Sequence, residues 1–112
     1  TPDASDYPLV ALDTAKAVSS GEFDKGIVMC GTGVGISIAA NKVKGIRCAL
    51  LSDTFSAKAT RQHNDANMMA MGARVIGIGL ALDIVDAFLD TPFSGLERHQ
   101  RRIDMITKIE NE

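Results

Sequence analysis

The amino-acid sequence predicts an α/β fold in which helices cover a parallel sheet, and three observations lead to this prediction. Short apolar runs alternate along the chain with segments whose apolar residues recur at helical spacing. This alternation favours parallel strands joined by helices. A glycine-rich turn, residues 31–35, follows the first apolar run, and ligands of such sheets bind beyond the carboxyl ends of strands. The 112 residues are expected to form one domain over residues 1–112.

The first half of the chain is predicted to begin with a helix over residues 9–20. Pro8 suits its first turn and Gly21 its C-terminal end. The apolar run 26–30 lies between turn signals and is typical of a strand buried on both faces. The next predicted elements are a helix over residues 36–43, a strand over 46–51, and a helix capped by Ser52 or Asp53 that runs to His63, with Asn64 in a left-handed exit position.

The second half is predicted to contain one strand and two helices. The strand covers residues 67–72, with 75–77 as an optional continuation. A helix follows around residues 80–88 and stops before Pro92, and a last helix spans about 96–109. Three strands are few for a sheet covered on both faces, so we expect further strands, a partner subunit, or both to complete the cover.

Composition excludes several classes of protein. Twelve basic and fourteen acidic residues give a net charge of −2, which argues against a nucleic-acid surface. The apolar runs are far shorter than the ~20 residues that cross a bilayer, and no secretory signal pattern opens the chain. Two cysteines without such a signal do not suggest a disulfide framework. We therefore expect a cytoplasmic protein that binds neither membranes nor nucleic acid.

The glycine-rich turn is the strongest local sign of a binding site. Its glycines allow close approach of the backbone, and its N–H groups can converge on an anion. A dinucleotide fingerprint fails because Ile36 replaces the third glycine, and no P-loop lysine follows. Cys30, just before the turn, could act as a base or nucleophile if its thiolate is stabilised there. The alternatives are a turn that only packs and a small buried hydrophobic residue.

Two polar groups lie elsewhere in the chain. His63 can exchange a proton near neutral pH and Asn64 can hydrogen-bond an oxyanion, although a plain helix cap explains both equally well. Arg98 and Arg102 share a helix face, which suits a phosphate dianion or a solvated surface. On one sheet His63 would lie at the wrong end for a site beside Cys30.

Five ordered segments closely resemble the type B ribose-5-phosphate isomerases, a family shared with galactose-6-phosphate isomerase subunits. They are Cys-Gly-Thr-Gly-Val-Gly at 30–35, Ile-Ala-Ala-Asn-Lys-Val at 38–43, His-Asn-Asp-Ala-Asn at 63–67, Gly-Ala-Arg at 72–74, and Arg-His-Gln-Arg-Arg-Ile-Asp at 98–104. The resemblance covers nearly the whole chain. It implies a Rossmann-like three-layer sandwich, homodimers or homotetramers with active sites shared between subunits, and no metal or nucleotide cofactor. Relative to that family fold, the first strands are missing here.

The resemblance also implies roles for individual residues. Cys30 matches the base that moves a proton between C2 and C1 of the open-chain sugar. Thr32 and His63 match residues that assist ring opening. The remaining matches are substrate contacts: the backbone amides of Gly31, Gly33, Val34 and Gly35 as an anion hole for the enediolate, Asn64 at the reacting oxygens, Arg98 and Arg102 at the phosphate, Arg74 as a further phosphate-side contact, and Tyr7.

The implied activity is the aldose–ketose isomerisation of ribose 5-phosphate and ribulose 5-phosphate through an enediolate, with a cysteine base. Three alternatives stay open. The substrate could be a six-carbon sugar phosphate such as allose or galactose 6-phosphate. The chain could be a non-catalytic sugar-phosphate-binding module, since part of the family fold is missing. It could also be a regulatory subunit of an active relative.

Overall fold

The computed structural model describes residues 6–112 and confirms an α/β fold with a parallel sheet. The elements in chain order are α1 (Tyr7–Ser19), β1 (Gly26–Cys30), α2 (Val34–Ala40), β2 (Cys48–Leu50), α3 (Thr54–Asn64), β3 (Met68–Gly72), α4 (Ile78–Asp90) and α5 (Glu97–Glu110). The three strands are ordered β1-β3-β2, and both neighbouring pairs are parallel.

The central strand β3 divides the core into two layers. Met68 and Ala70 face a cluster formed mainly with α1 and α2. Met69 and Met71 face the opposite cluster, formed mainly with α3 and α4. Successive side chains of a strand point to opposite faces, so every residue of β3 is buried. This is the three-layer sandwich expected from the sequence.

The edge strand β1 is covered on one face only. Val28 is buried toward α1 and α2, whereas Ile27 and Met29, which point the other way, are 38% and 47% exposed. The prediction that β1 is buried on both faces was therefore wrong for this chain, because the side of Ile27 and Met29 is left partly exposed. That further strands or a partner subunit cover this side stays a prediction. Among residues 6–112, no helix is long and apolar enough to cross a membrane.

The glycine turn is shorter than predicted, because α2 begins at Val34 rather than Ile36. Gly33 has a φ of +80° and serves as the N-cap, so helical geometry starts directly after it. The helix ends at Ala40, since the Asn41 side chain makes two hydrogen bonds to the backbone of Cys48, at 2.9 and 2.7 Å. The prediction that the helix continues to residue 43 was therefore wrong, because Asn41 is bound to Cys48 instead.

Strand β2 is half as long as the predicted strand over residues 46–51. The backbone N–H of Arg47 donates to the side chain of Asn67 rather than to a neighbouring strand, at 2.9 Å. Ladder pairing with β3 therefore begins only at Cys48 and ends at Leu50.

Two further predictions were wrong in detail. The left-handed residue after α3 is Asp65, with a φ of 45°, and Asn64 is still helical. Residues 75–77 do not continue β3, because Ala73 and Arg74 donate backbone hydrogen bonds to the carbonyls of residues 30 and 31. The chain turns there and closes over the glycine turn.

The predicted helix ends otherwise agree with the structure. Asp53 caps α3 by accepting the N–H of Ser56 at 2.6 Å, and Gly21 after α1 has a φ of +85°. Helix α1 starts two residues before the predicted position, at Tyr7, with Pro8 in its first turn.

Candidate functional site

The first group of predicted site residues lies at a cavity of about 480 Å³ beyond the carboxyl end of β1, and five of its eight members line that cavity. We call this group the thiol half-site and define it by Tyr7, Cys30, Gly31, Thr32, Gly33, Val34, Gly35 and Arg74; Gly33, Val34 and Arg74 are not part of the cavity wall. The cavity wall includes Tyr7, Cys30, Thr32 and Gly35. The volume lies in the range of small-molecule sites.

The Cys30 thiol is held in a polar environment by its own loop. Its Sγ accepts the backbone N–H of Gly33 at 3.2 Å. Burial raises the pKa of the thiol, but the backbone N–H groups of Ile36, Gly33 and Thr32 and the Thr32 hydroxyl together outweigh burial, so the pKa of Cys30 is lowered. Hydrogen bonds that favour the charged form of a group lower the pKa of an acid. Cys30 also packs against the core cluster of α1 and α2, so its side chain is both a partly buried packing residue and a thiol with stabilised charge.

Glycines bring three segments into contact around this thiol. A Cβ atom at Gly35 would lie 2.5 Å from the Tyr7 ring, so glycine is what lets Tyr7 lie against the loop. A Cβ atom at Gly72, the last residue of β3, would lie 2.6 Å from the backbone carbonyl of Thr32. The loop therefore rests directly on the end of β3.

Not every amide of the turn is free to face a ligand. The N–H of Gly33 points at the Cys30 sulfur, and that of Val34 donates to the Thr32 hydroxyl at 3.2 Å. Arg74 covers the start of the turn, because its Cδ atom lies 3.7 Å from the position of a Cβ atom on Gly31. An exposed guanidinium therefore stands next to the turn, as expected of a contact to an anion.

The second group lies at the end of α3 and the start of α5. We call it the histidine half-site and define it by His63, Asn64, Arg98, His99 and Arg102. The exposed ring of His63 lies on the buried ring of His99, with a distance of 4.5 Å between ring centroids and an angle of 36° between ring planes. Burial lowers the pKa of His99, and the nearby charges of His63, Arg98 and Arg102 lower it further.

Both arginines of this half-site are exposed on α5. Within residues 6–112, the ion pairs are those of Arg47 and Arg61 with Asp65, and neither Arg98 nor Arg102 takes part in one. Guanidinium groups without a carboxylate partner suit a phosphate dianion.

Asn64 is placed less favourably for contact with a substrate. Its side-chain oxygen accepts the Thr60 hydroxyl at 3.0 Å. It also borders a second cavity, of about 540 Å³, between β2 and α5. Asn64 is therefore next to His63 in sequence, but it also lines the cavity between β2 and α5.

The two half-sites lie at opposite ends of the sheet. Cys30 pairs with Gly72 at the carboxyl ends of β1 and β3, whereas α3 delivers His63 to the amino end of β3. With a rise of about 1.5 Å per residue, the eleven residues of α3 span roughly 16 Å. One chain therefore does not bring Cys30 and His63 together.

Two arginines that were not predicted as functional residues shape the turn after His63. Buried Arg61 donates to the Asp65 carboxylate at 2.8 Å, to the Ala66 carbonyl at 2.7 Å and to the Thr91 carbonyl at 3.0 Å. Arg47 donates to the backbone carbonyls of residues 64 and 65, both at 2.9 Å. Two arginines thus hold the left-handed residue Asp65. The spacing of Arg61 and Asp65, four residues apart, is the sequence pattern that could have predicted their ion pair.

Cys48 packs against the core, and burial raises the pKa of its thiol to about 11. In the described part of the chain, no group of three His, Cys, Asp or Glu side chains is arranged to hold a metal ion.

Comparison with known proteins adds to this geometry. The family model described as Ribose/Galactose Isomerase matches residues 1–106. Ribose-5-phosphate isomerase B of Escherichia coli (strain K12) is 54% identical over 108 residues, which are 96% of this chain and 72% of that protein.

Solved structures agree in fold. Ribose-5-phosphate isomerase B of Clostridium thermocellum superposes with a TM-score of 0.92 at 56% identity, covering 95% of this chain and 71% of that one. The Mycoplasma genitalium enzyme with bound ribulose-5-phosphate also gives 0.92, at 45% identity, covering 98% and 73%. This chain thus spans a little over 70% of the length of these relatives.

Proposed function

Since the chain belongs to the ribose/galactose isomerase family, we propose that it interconverts ribose 5-phosphate and ribulose 5-phosphate. The class of the enzyme, an aldose–ketose isomerase, follows from the family and its close relatives. The observation that carries the proposed chemistry is the Cys30 sulfur, which accepts the Gly33 N–H at the wall of a cavity of about 480 Å³.

The proposed reaction moves two protons, one between carbon atoms and one between oxygen atoms. The Cys30 thiolate removes the proton from C2 of the open-chain aldose, and the electron pair of that C–H bond forms the C1=C2 double bond of the enediolate, whose negative charge lies on O1. The resulting thiol returns the proton to C1, and the hydroxyl proton at O2 passes to O1, so that O2 becomes the ketone oxygen and O1 the new hydroxyl. Atoms and charge balance without a cofactor. A positioned base of this kind contributes typically about 10²–10⁴-fold in rate.

The loop supports this role because it stabilises negative charge. The same backbone donors that lower the pKa of Cys30 make a resting thiolate more accessible near neutral pH. The exposed start of the turn and Arg74 are the groups that would face the enediolate oxygens and the anionic end of the sugar. Preorganised donors at a developing oxyanion contribute about 3 kcal/mol each.

The separation of the half-sites supports a shared active site. His63, Arg98 and Arg102 cannot reach the Cys30 cavity of their own chain, because α3 spans roughly 16 Å between the two ends of the sheet. We propose that a second copy supplies its histidine half-site to the thiol half-site of the first. Arg98 and Arg102 would hold the phosphate, and His63 would assist ring opening.

A six-carbon sugar phosphate is the second candidate substrate, because the family description includes galactose as well as ribose. A non-catalytic binding module is the third candidate, because the chain spans a little over 70% of its relatives. The substrate preference and the presence of turnover distinguish the three.

The deciding experiment is proton NMR of ribose 5-phosphate in heavy water with the wild-type chain. Ribulose 5-phosphate that carries solvent deuterium is the expected product. Cys30→Ala should abolish it, and Cys48→Ala serves as the matched control that keeps it. Product formed equally by Cys30→Ala would exclude the cysteine base. Faster turnover of allose or galactose 6-phosphate would move the assignment to six-carbon sugars, and no turnover of any of them would favour the binding module.

A further inference from the structure

The segment between α4 and α5 is tied to both parts of the histidine pair. The backbone N–H of Ser94 donates to the carbonyl of Gln62, directly before His63, at 3.2 Å. The Ser94 hydroxyl lies 2.7 Å from Nδ1 of His99. Ser94 therefore connects the last turn of α3 with the first turn of α5.

The surroundings of the Ser94 oxygen indicate the direction of its hydrogen bond to His99. That oxygen already accepts the backbone N–H of Leu96 at 3.1 Å. A hydroxyl has one proton to donate, and Nδ1 of His99 is the one acceptor that the described residues offer to it, so we assign the hydrogen bond as running from Ser94 to His99. A neutral imidazole that accepts at Nδ1 carries its proton on Nε2. This assignment makes His99 the Nε2–H tautomer.

The neutral state of His99 has independent causes. The ring is 6% exposed. The groups that face it are His63 from α3, Arg98 and Arg102 from its own helix, and the Ser94 hydroxyl from the connecting segment. None of these is an acid, so a proton on both ring nitrogens would meet only positive or neutral neighbours.

We propose that Ser94 and His99 are positioning residues for His63: the Ser94 hydroxyl fixes His99 as the Nε2–H tautomer, and that ring is the support on which the His63 imidazole lies. The inference rests on the proposed function, in which His63 acts on the substrate. An exposed histidine on a helix end would otherwise sample several rotamers. A fixed ring beneath it limits that freedom without contacting the sugar.

The first test does not depend on activity. The chain has two histidines, so long-range proton–nitrogen NMR shows two imidazole spectra, and His63→Gln assigns them. We expect His99 as the neutral Nε2–H tautomer at pH 7 with ring-to-ring contacts to His63. Ser94→Ala should mix the tautomers, and Ser94→Thr should restore the single form. An Nδ1–H or doubly protonated His99 in the wild type, or no change in Ser94→Ala, would overturn the proposal.

The second test separates positioning from binding. Ser94→Ala should lower kcat about fivefold, the effect of one neutral hydrogen bond, with KM and inhibition by inorganic phosphate unchanged. Ser94→Thr should recover kcat. Ser20→Ala is the matched control, since Ser20 is also exposed and bonds only a carbonyl of its own helix, at 3.1 Å.

A weaker phosphate inhibition with unchanged kcat in either Ser94→Ala or His99→Phe would make His99 a phosphate ligand and overturn the proposal. Absence of activity in the wild type would count against the proposed function alone. The positioning of His63 is tested separately, by the NMR measurement of the His99 tautomer and of the ring-to-ring contacts.

Discussion

The two half-sites are built by different means. The thiol half-site consists of backbone: one contiguous loop surrounds Cys30, and glycines let Tyr7 and β3 pack against it. The histidine half-site consists of side chains from separate elements, with an exposed His63 resting on a buried His99. A backbone site is disrupted by added atoms, whereas a side-chain site is disrupted by removed charges and hydrogen bonds.

The largest effect is expected from one added methyl group beneath the thiol half-site. Gly72→Ala places a Cβ atom 2.6 Å from the Thr32 backbone, which cannot swing aside as a side chain can. We expect a loss of about 3 kcal/mol in the free energy of unfolding, measured in urea, together with loss of isomerisation. Gly79→Ala is the control. A Cβ atom there meets nothing within 4 Å, so this change should stabilise α4 by up to about 1 kcal/mol. Equal stabilities of the two variants would contradict close packing at Gly72.

Alkylation compares the two thiols directly. The lowered pKa of Cys30 and the pKa of about 11 for Cys48 mean that the Cys30 thiolate is far more populated at pH 8. Because the thiolate is the reactive form, iodoacetamide should modify Cys30 about a hundredfold faster. Mass spectrometry of peptides against time measures both rates in one sample. Thr32→Ala removes one donor to the sulfur and should slow the reaction of Cys30, and equal rates at the two cysteines would refute the assigned environment.

The turn after His63 should depend on a buried cation. Arg61→Met removes the donors to the Ala66 and Thr91 carbonyls and to the Asp65 carboxylate. We expect the free energy of unfolding to fall by about 2 kcal/mol, the cost of leaving such acceptors unsatisfied. Urea denaturation measures it, and Arg101→Met on the exposed face of α5 is the matched control. Unchanged stability would mean that Arg61 does not hold the turn.

The smallest effect concerns the exposed charges. Arg98→Gln should weaken competitive inhibition by inorganic phosphate about tenfold, because one charge-assisted contact is lost. Arg102→Gln should behave alike, and the wild-type inhibition should decrease as salt is added. Arg101→Gln, which stands between them, should change little. If all three variants weaken inhibition equally, the overall positive charge of α5, and not a defined phosphate site, accounts for the inhibition.

The same difference explains how much could be predicted from sequence. The residues of the thiol half-site from 30 to 35 are consecutive, whereas the resemblance named Tyr7 and Arg74 as substrate contacts and only the structure places them at this turn. The end of α3 was harder to predict, because Asp65 instead of Asn64 takes the left-handed conformation. Arg47, seventeen and eighteen residues away in sequence from the carbonyls that it binds, decides that outcome. Tertiary hydrogen bonds of this kind leave no local pattern.

Strand lengths failed for a related reason. Residues 46–51 have the composition of one strand, but Asn41 and Asn67 bind the backbone there through their side chains. The periodicity of apolar residues gives no sign of hydrogen bonds in which a side chain takes the place of a neighbouring strand. The pairing of His63 with His99 depends on the packing of α5 on α3, a tertiary contact between helices that are far apart in the sequence.

The placement of the half-sites at opposite ends of one sheet has a genetic consequence under the proposed sharing. A chain with a defective thiol and a chain with defective arginines would each be inactive alone. Mixed together, they would form pairs in which one of the two sites combines both defects and the other combines none. Two recessive lesions would therefore complement each other within a single gene product, whereas two lesions in the same half-site would not.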